Sequence, residues 1–205
     1  MKKIFLCAAV AIMSFATAQS QEVRLGIKGG YNMTTLTGDI EDASSRSSFH
    51  LGGLVEVPIS ERFSIQPEVL YSSQGAEYRG TLTGADDSKI TAKLDYIQVP
   101  IMAKFYAAEG FAVEAGPQVG FLMSAKEDFS SKTTAIGQTG SASGSFDVKE
   151  KYKGIDFGLG IGAAYRLDMG LFFGARYNLG LSNINDISNA TVKNNVFQIS
   201  VGYSF

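Results

Sequence analysis

The sequence predicts an all-β chain: a closed, up-and-down antiparallel transmembrane β-barrel of eight strands, with short periplasmic turns and long extracellular loops. Three observations carry that expectation. Large apolar residues alternate with polar residues or glycine through eight segments, the links between segments alternate between short and long, and the chain opens with an export signal.

At the start, Lys2 and Lys3 precede an apolar stretch from Ile4 to Phe15. Ala16-Thr17-Ala18 then supplies the small residues that a signal peptidase reads at −3 and −1. The stretch is too short for a membrane helix, which takes about 20 apolar residues. Residues 1–18 therefore read as a cleaved signal peptide, and residues 19–205 as one outer-membrane β-barrel domain. Cys7 leaves with the peptide. Removing eighteen of the 205 residues leaves a mature chain of 187 with no cysteine, which excludes disulfides and thiolate metal sites. Without Lys2 and Lys3, sixteen basic residues stand against twenty acidic ones, a formal charge of −4. No basic block remains to hold nucleic acid.

The first strand runs from Val23 to Met33, with Val23, Leu25, Ile27 and Tyr31 toward lipid and Arg24, Gly26, Lys28 and Asn32 toward the lumen. The second covers Phe49 to Val57 and the third Phe63 to Ser73. The fourth ends as Ile97, Val99, Ile101, Ala103 and Phe105 on one face. Leu94 and Tyr96 above them fall out of phase, which implies a bulge or emergence from lipid. The fifth spans Phe111 to Phe121. In the sixth, Ile155, Phe157, Leu159, Ile161, Ala163 and Tyr165 oppose Asp156, Gly158, Gly160, Gly162 and Ala164. A helix there would put Ile155, Gly158, Leu159, Gly162 and Arg166 on one stripe, which is no apolar face, and the glycines disfavour it further. The seventh runs from Leu171 to Leu181. The eighth sets Phe197, Ile199, Val201, Tyr203 and Phe205 against Gln198, Ser200, Gly202 and Ser204.

Short links lie at Pro58–Arg62, Tyr106–Gly110 and Leu167–Gly170, and long polar ones at Thr34–Ser48, Gln74–Lys93, Leu122–Lys151 and Ser182–Asn195. A soluble barrel or sandwich would also alternate, but its second face would be rich in Lys, Glu and Thr. Here that face is rich in glycine with single charges, as suits a narrow lumen filled by a few long side chains. Phe63, Phe105, Phe111, Tyr165, Tyr203 and Phe205 cluster beside the short turns as an interfacial girdle, although Trp is absent.

Four stretches carry a family resemblance: Gly26-Ile27-Lys28-Gly29-Gly30-Tyr31-Asn32, Leu94-Asp95-Tyr96-Ile97-Gln98-Val99-Pro100-Ile101, Ala115-Gly116-Pro117-Gln118-Val119-Gly120-Phe121, and Gly158 to Asn178 with Arg176-Tyr177-Asn178. They resemble the PorT-like outer-membrane β-barrel family of Bacteroidetes, over essentially the whole mature chain. The resemblance implies an eight-stranded outer-membrane barrel without a catalytic site or cofactor. A few members are linked to a secretion and gliding apparatus, but no residue here matches one that serves secretion.

Candidate chemistry lies in the lumen. Counting from the strand ends places Arg24, Glu56, Lys104, Glu114 and Arg166 near the periplasmic end, and Lys28, Glu68 and Arg176, with Gln98, nearer mid-membrane. With Asp156 these are five basic and four acidic residues, near enough to balance to favour a self-satisfied plug over a pore or proton path. Lys104 and Glu114 flank the Tyr106–Gly110 turn in the same phase and are expected within ion-pair range. His50, the only histidine, is expected inward near the outer rim of the second strand, where a base with Ser48 or Asp156 would suit a lipid-modifying hydrolase and a wet polar residue is the plainer reading. Tyr203 and Phe205 resemble the terminal aromatic signal by which outer-membrane barrels are recognised for assembly.

The loop Leu122–Lys151 is small and polar at its tip and reads as mobile surface. The acidic pairs Glu41-Asp42 and Asp86-Asp87 offer too few oxygens for calcium. No cofactor or metal site and no catalytic residue is assigned. The expectation is a structural or interaction protein in the outer membrane, its lumen plugged and its loops displayed. Its partners would be outer-membrane lipids, the barrel assembly machinery and envelope proteins met through the loops, in an envelope or secretion complex. A narrow solute channel, or an outer-leaflet lipid enzyme using His50, are the alternatives.

Overall fold

A computed structural model describes residues 23–39, 43–80, 87–135 and 138–205. The expected signal peptide lies outside them, as do Glu41-Asp42, Asp86 and Gly137. The strands are β1 (Arg24–Gly38), β2 (Ala43–Ser60), β3 (Phe63–Gly80), β4 (Asp87–Ala108), β5 (Phe111–Ala135), β6 (Gln138–Asp147), β7 (Ile155–Arg166), β8 (Leu171–Gly180) and β9 (Val192–Ser204).

Eight of them close into a ring of antiparallel neighbours, β1-β2-β3-β4-β5-β7-β8-β9, and β9 pairs back onto β1 from Gly26↔Ser204 to Gly38↔Val192. The seam extends to the chain end, where the Phe205 amide donates to the Leu25 carbonyl at 2.7 Å. Closure matters because each unpaired backbone group in hydrocarbon costs several kcal/mol. A ninth strand, β6, stands outside the ring and folds back on the upper half of β5, from Lys126↔Asp147 to Ala135↔Gln138. The segment Leu122–Lys151, expected to be a loop, is in its described residues largely a hairpin.

Within the ring, even-numbered residues face the lumen and odd-numbered ones face out, as the buried and exposed positions of β9 and β4 alternate. The exposed odd residues are large and apolar: Leu25, Ile27, Ile101, Ile161, Ile199 and Val201 among them. Phe63, Phe105, Phe111, Tyr165, Tyr203 and Phe205 are all exposed beside the short turns. Gly110 and Gly170 close two of those turns with φ of 72° and 88°, a region that side chains with a Cβ rarely adopt.

The strands run further than their lipid-facing pattern. β1 to β5 continue well above the last lipid-facing residues, through segments that the polar composition suggested were loops. In that extension the chemistry inverts. Leu36, Ala76, Leu94, Tyr96, Leu122, Ala125, Val148, Ile184 and Val192 form one buried apolar cluster inside the mouth. Leu94 and Tyr96 keep the same inward phase as Gln98 and Lys104 below them, so β4 emerges from lipid without changing face. The irregularity lies on β5, where Asp95↔Ser124 gives way to Tyr96↔Leu122 and leaves Met123 as the extra residue. That bulge swings Ala125 inward and Lys126 outward.

Candidate functional site

The lumen is built in layers, beginning at the short turns. Glu56 is the hub of the periplasmic floor. Its carboxylate accepts from the Ser64 hydroxyl at 3.1 Å, from Lys104 Nζ at 3.2 Å and from the Tyr106 hydroxyl. Arg24 stands further off, at 3.6 Å. Lys104 also donates to Gln66 Oε1 at 2.9 Å, and Gln66 Nε2 donates to Glu68 Oε1 at 2.7 Å. One amide thus links the floor to the layer above.

Glu68 holds that middle layer. Lys28 Nζ approaches Glu68 Oε2 at 2.7 Å, and the Arg176 guanidinium grips both oxygens at 3.0 and 2.7 Å. Arg176 Nε then reaches Glu114 at 2.8 Å. Two cations face two carboxylates, all buried, the arrangement in which buried charges are tolerated. Glu114 belongs here and not to the floor where counting placed it. Lys104 and Glu114 are cross-strand partners facing the lumen, yet Lys104 pairs with Glu56 and Glu114 with Arg176. Gly162 explains the second choice. It lies between Glu114 and Arg176 in the same row, and without a side chain it leaves the path between them open. A Cβ there would come 3.1 Å from Arg176 Cβ and 2.5 Å from the Ala175 carbonyl oxygen.

Above the charges lies a neutral layer. His50 faces inward, as expected, but at 1% exposure it is sealed in the lumen and not in a wet mouth. Its Nδ1 lies 2.7 Å from Asn32 Oδ1 and its Nε2 lies 2.8 Å from Ser200 Oγ. Asn32 Nδ2 donates to the Phe49 and Ser73 carbonyls, which leaves Oδ1 as the acceptor. Nδ1 therefore carries the proton, and Nε2 accepts from the Ser200 hydroxyl. Neither expected partner bonds to it: Ser48 donates to the Ser73 carbonyl, and Asp156 accepts from Ser182 at the upper end of β7. The serine–histidine–amide order is that of a hydrolase triad. The cavity beside Ser200, however, measures ≈ 20 Å³, room for about one water and no substrate.

Apolar side chains fill the remaining lumen. Leu54, Leu70 and Met102 are buried inward, and Phe172 lies over Gly202, where a Cβ would come within 2.3 Å of its ring. Sequence reading missed these four, although their even numbers put them in the lumen phase. Gln98 is also buried. Arg166 lies at the periplasmic end, its guanidinium 5.7 Å from the centre of the Tyr106 ring.

The extracellular extension is a sheet with polar residues outside. Lys89 pairs with Glu77 at 2.7 Å, Lys93 with Asp128, and Lys151 with Glu127 at 3.2 Å. Burial pushes the Tyr152 phenol well above its ordinary range, reinforced by the neighbouring Tyr78 and Glu127. Phe129 and Phe146 stack at 5.6 Å across the β5–β6 pair. Among the described residues, β6 has β5 as its only strand partner, so its far edge offers a row of backbone donors and acceptors.

A family model for the outer membrane protein beta-barrel domain matches residues 17–186. The chain belongs to that family. Comparison with curated proteins finds no match. Among solved structures, it is similar to Ail, the attachment invasion locus protein of Yersinia pestis, with 16% identity over 90% of this chain and 100% of that one, at a TM-score of 0.51. Neisserial surface protein A gives 12% identity, 90% and 100% coverage and a TM-score of 0.46. CarO2 of Acinetobacter baumannii gives 10% identity, the same coverage and 0.46. At 16% identity the likeness to Ail speaks for the fold alone.

Membership of the outer membrane protein beta-barrel domain family fixes the solvent around each surface. The belt of exposed odd residues faces lipid, the short turns face the periplasm, and the β1–β6 extension rises into the medium.

Proposed function

We propose that the protein is a non-conducting scaffold that displays an extracellular sheet for contact with envelope partners. The observation that carries this reading is a lumen occupied by side chains between the periplasmic floor and the apolar mouth. Between the floor and the apolar mouth, the described residues enclose small cavities of ≈ 10 and ≈ 20 Å³ in the lower lumen. Lys28, Glu56, Glu68, Lys104, Glu114 and Arg176 then serve structure, with Asp156 at the upper end. The surface offered to partners is the outside, where, among the described residues, β6 presents an edge with no further strand partner.

On this reading the chain is exported by a cleaved peptide, residues 1–18, and residues 19–205 form the single barrel domain. The barrel assembly machinery recognises Tyr203 and Phe205, whose rings meet edge-on at 5.2 Å. The motif resemblance supports a PorT-like affiliation and a place in an envelope or secretion complex. Planar-bilayer recording is the test. The scaffold gives little steady conductance; large, stable channels from the wild type would establish the narrow-channel alternative instead. Deleting Phe205 should lower the amount of heat-modifiable barrel while leaving precursor processing intact, and normal levels would show the terminal ring to be dispensable.

A further inference from the structure

The two charged layers of the lumen differ in balance. The middle layer sets Lys28 and Arg176 against Glu68 and Glu114. The floor sets Arg24, Lys104 and Arg166 against Glu56 alone. Glu56 is saturated by Ser64, Lys104 and Tyr106, and Arg24 reaches it only at 3.6 Å. Arg166 has no carboxylate at ion-pair distance among the described residues, and its Nη1 is buried without a hydrogen-bond partner. Two guanidinium groups therefore keep unused donors at the bottom of the barrel.

Those groups line a cavity of ≈ 550 Å³ that opens between the short turns. Arg24, Arg166, Tyr106 and Glu56 line it, together with Glu61, Arg62 and Glu109 from the turns. Glu61, Arg62 and Glu109 are exposed, where water and salt screen them. The inner part is different: Arg166 also lines the ≈ 10 Å³ cavity behind, among Leu54, Ala164 and Phe172, where charge is poorly screened. Two half-buried guanidinium groups with unused donors, one of them the buried Arg166 Nη1, call for an anion, and their forks suit a planar or tetrahedral oxyanion.

We propose that this periplasmic vestibule is a binding site for an oxyanion, with Arg166 and Arg24 as its donors and Tyr106 holding the Arg166 fork in place. The oxyanion arrives either as a free small anion or as the acidic side chain of a periplasmic peptide. Both sources present the same oxygens, and the volume admits either.

The barrel, refolded in nanodiscs of zwitterionic lipid, is titrated with inorganic phosphate, with a blocked tri-aspartate peptide and with its tri-asparagine counterpart. Arginine side-chain NMR signals are read throughout. Saturable shifts confined to Arg24 and Arg166, induced by phosphate or aspartate and absent with asparagine, are expected. The tighter of the two ligands identifies the source. Arg166→Gln and Arg24→Gln should each weaken binding by roughly tenfold or more, whereas Lys193→Gln, at the opposite end, should leave it unchanged. If Arg166→Gln fails to fold, Arg24→Gln, whose side chain is 35% exposed, carries the comparison. No saturable shift in the wild type, or equal affinity in the folded variants, would overturn the proposal.

Discussion

The lower barrel and the extracellular extension are parts of the same strands, yet they are built inside out with respect to each other. Along β4, Ile97 and Ile101 face outward while Gln98 and Lys104 face the lumen; further up, Lys89 and Lys93 face outward while Leu94 and Tyr96 are buried. The backbone alternation never breaks on that strand. What changes is the solvent. In lipid the apolar side chain gains nothing by hiding, and the polar one must find partners inside; in water the hydrophobic effect returns and the apolar side chain moves in. The protein therefore has two cores, one of hydrogen bonds and charge, the other of apolar contact.

The largest expected effect comes from the polar core. Glu68→Gln leaves Lys28 and Arg176 facing Glu114 alone, and removing one partner from such a buried set costs about 3–5 kcal/mol. Urea unfolding followed by gel mobility should show the loss, and a second change, Lys28→Gln, should recover part of it by restoring balance. A double variant no better than the single one would mean that charge balance is not what holds this layer together.

Next is the apolar core. Leu94→Ala should cost about 3 kcal/mol through the cavity it leaves, but the cost should fall on the extension. Limited proteolysis should cut within β4–β6 while the membrane part stays heat-modifiable. Loss of both together would show that the two regions fold as one unit. A smaller effect separates the outer faces: Ile101→Lys should destabilise by about 2 kcal/mol in bilayers, whereas Thr91→Lys, on the same face of the same strand, should be close to neutral. The smallest is Lys89→Met, which removes an exposed ion pair with Glu77 and should cost about 0.5 kcal/mol or less, vanishing in high salt.

The lower region was legible in the sequence because lipid enforces one rule on every strand. Phe197 to Phe205 alone displays it, and each of the eight ring strands follows. The extension was hidden by composition. In Gln138–Asp147 only Phe146 is large and apolar, so a strand made of serine, glycine and alanine read as a loop. Depth in the lumen was legible for Glu56 and Lys104 but not for Glu114. Strand register identifies neighbours on adjacent strands, while a narrow barrel also brings together residues one strand apart, such as Glu114 and Arg176 across Gly162. His50 failed for the same reason: its partners come from β1 and β9, on either side of the seam that closes the ring.

One scan of β4 tests the inversion and the filled lumen together. Spin labels placed singly from Lys89 to Phe105, in a bilayer, are exposed in turn to oxygen, which concentrates in lipid, and to a water-soluble nickel complex. Odd positions from Ile97 to Phe105 should respond to oxygen, odd positions from Lys89 to Asp95 should respond to nickel, and Gln98, Pro100, Met102 and Lys104 should respond to neither. Nickel contact at those four even positions would reveal an open aqueous lumen, and oxygen contact at Lys89 to Asp95 would place the extension in lipid; either result would contradict the two-core account.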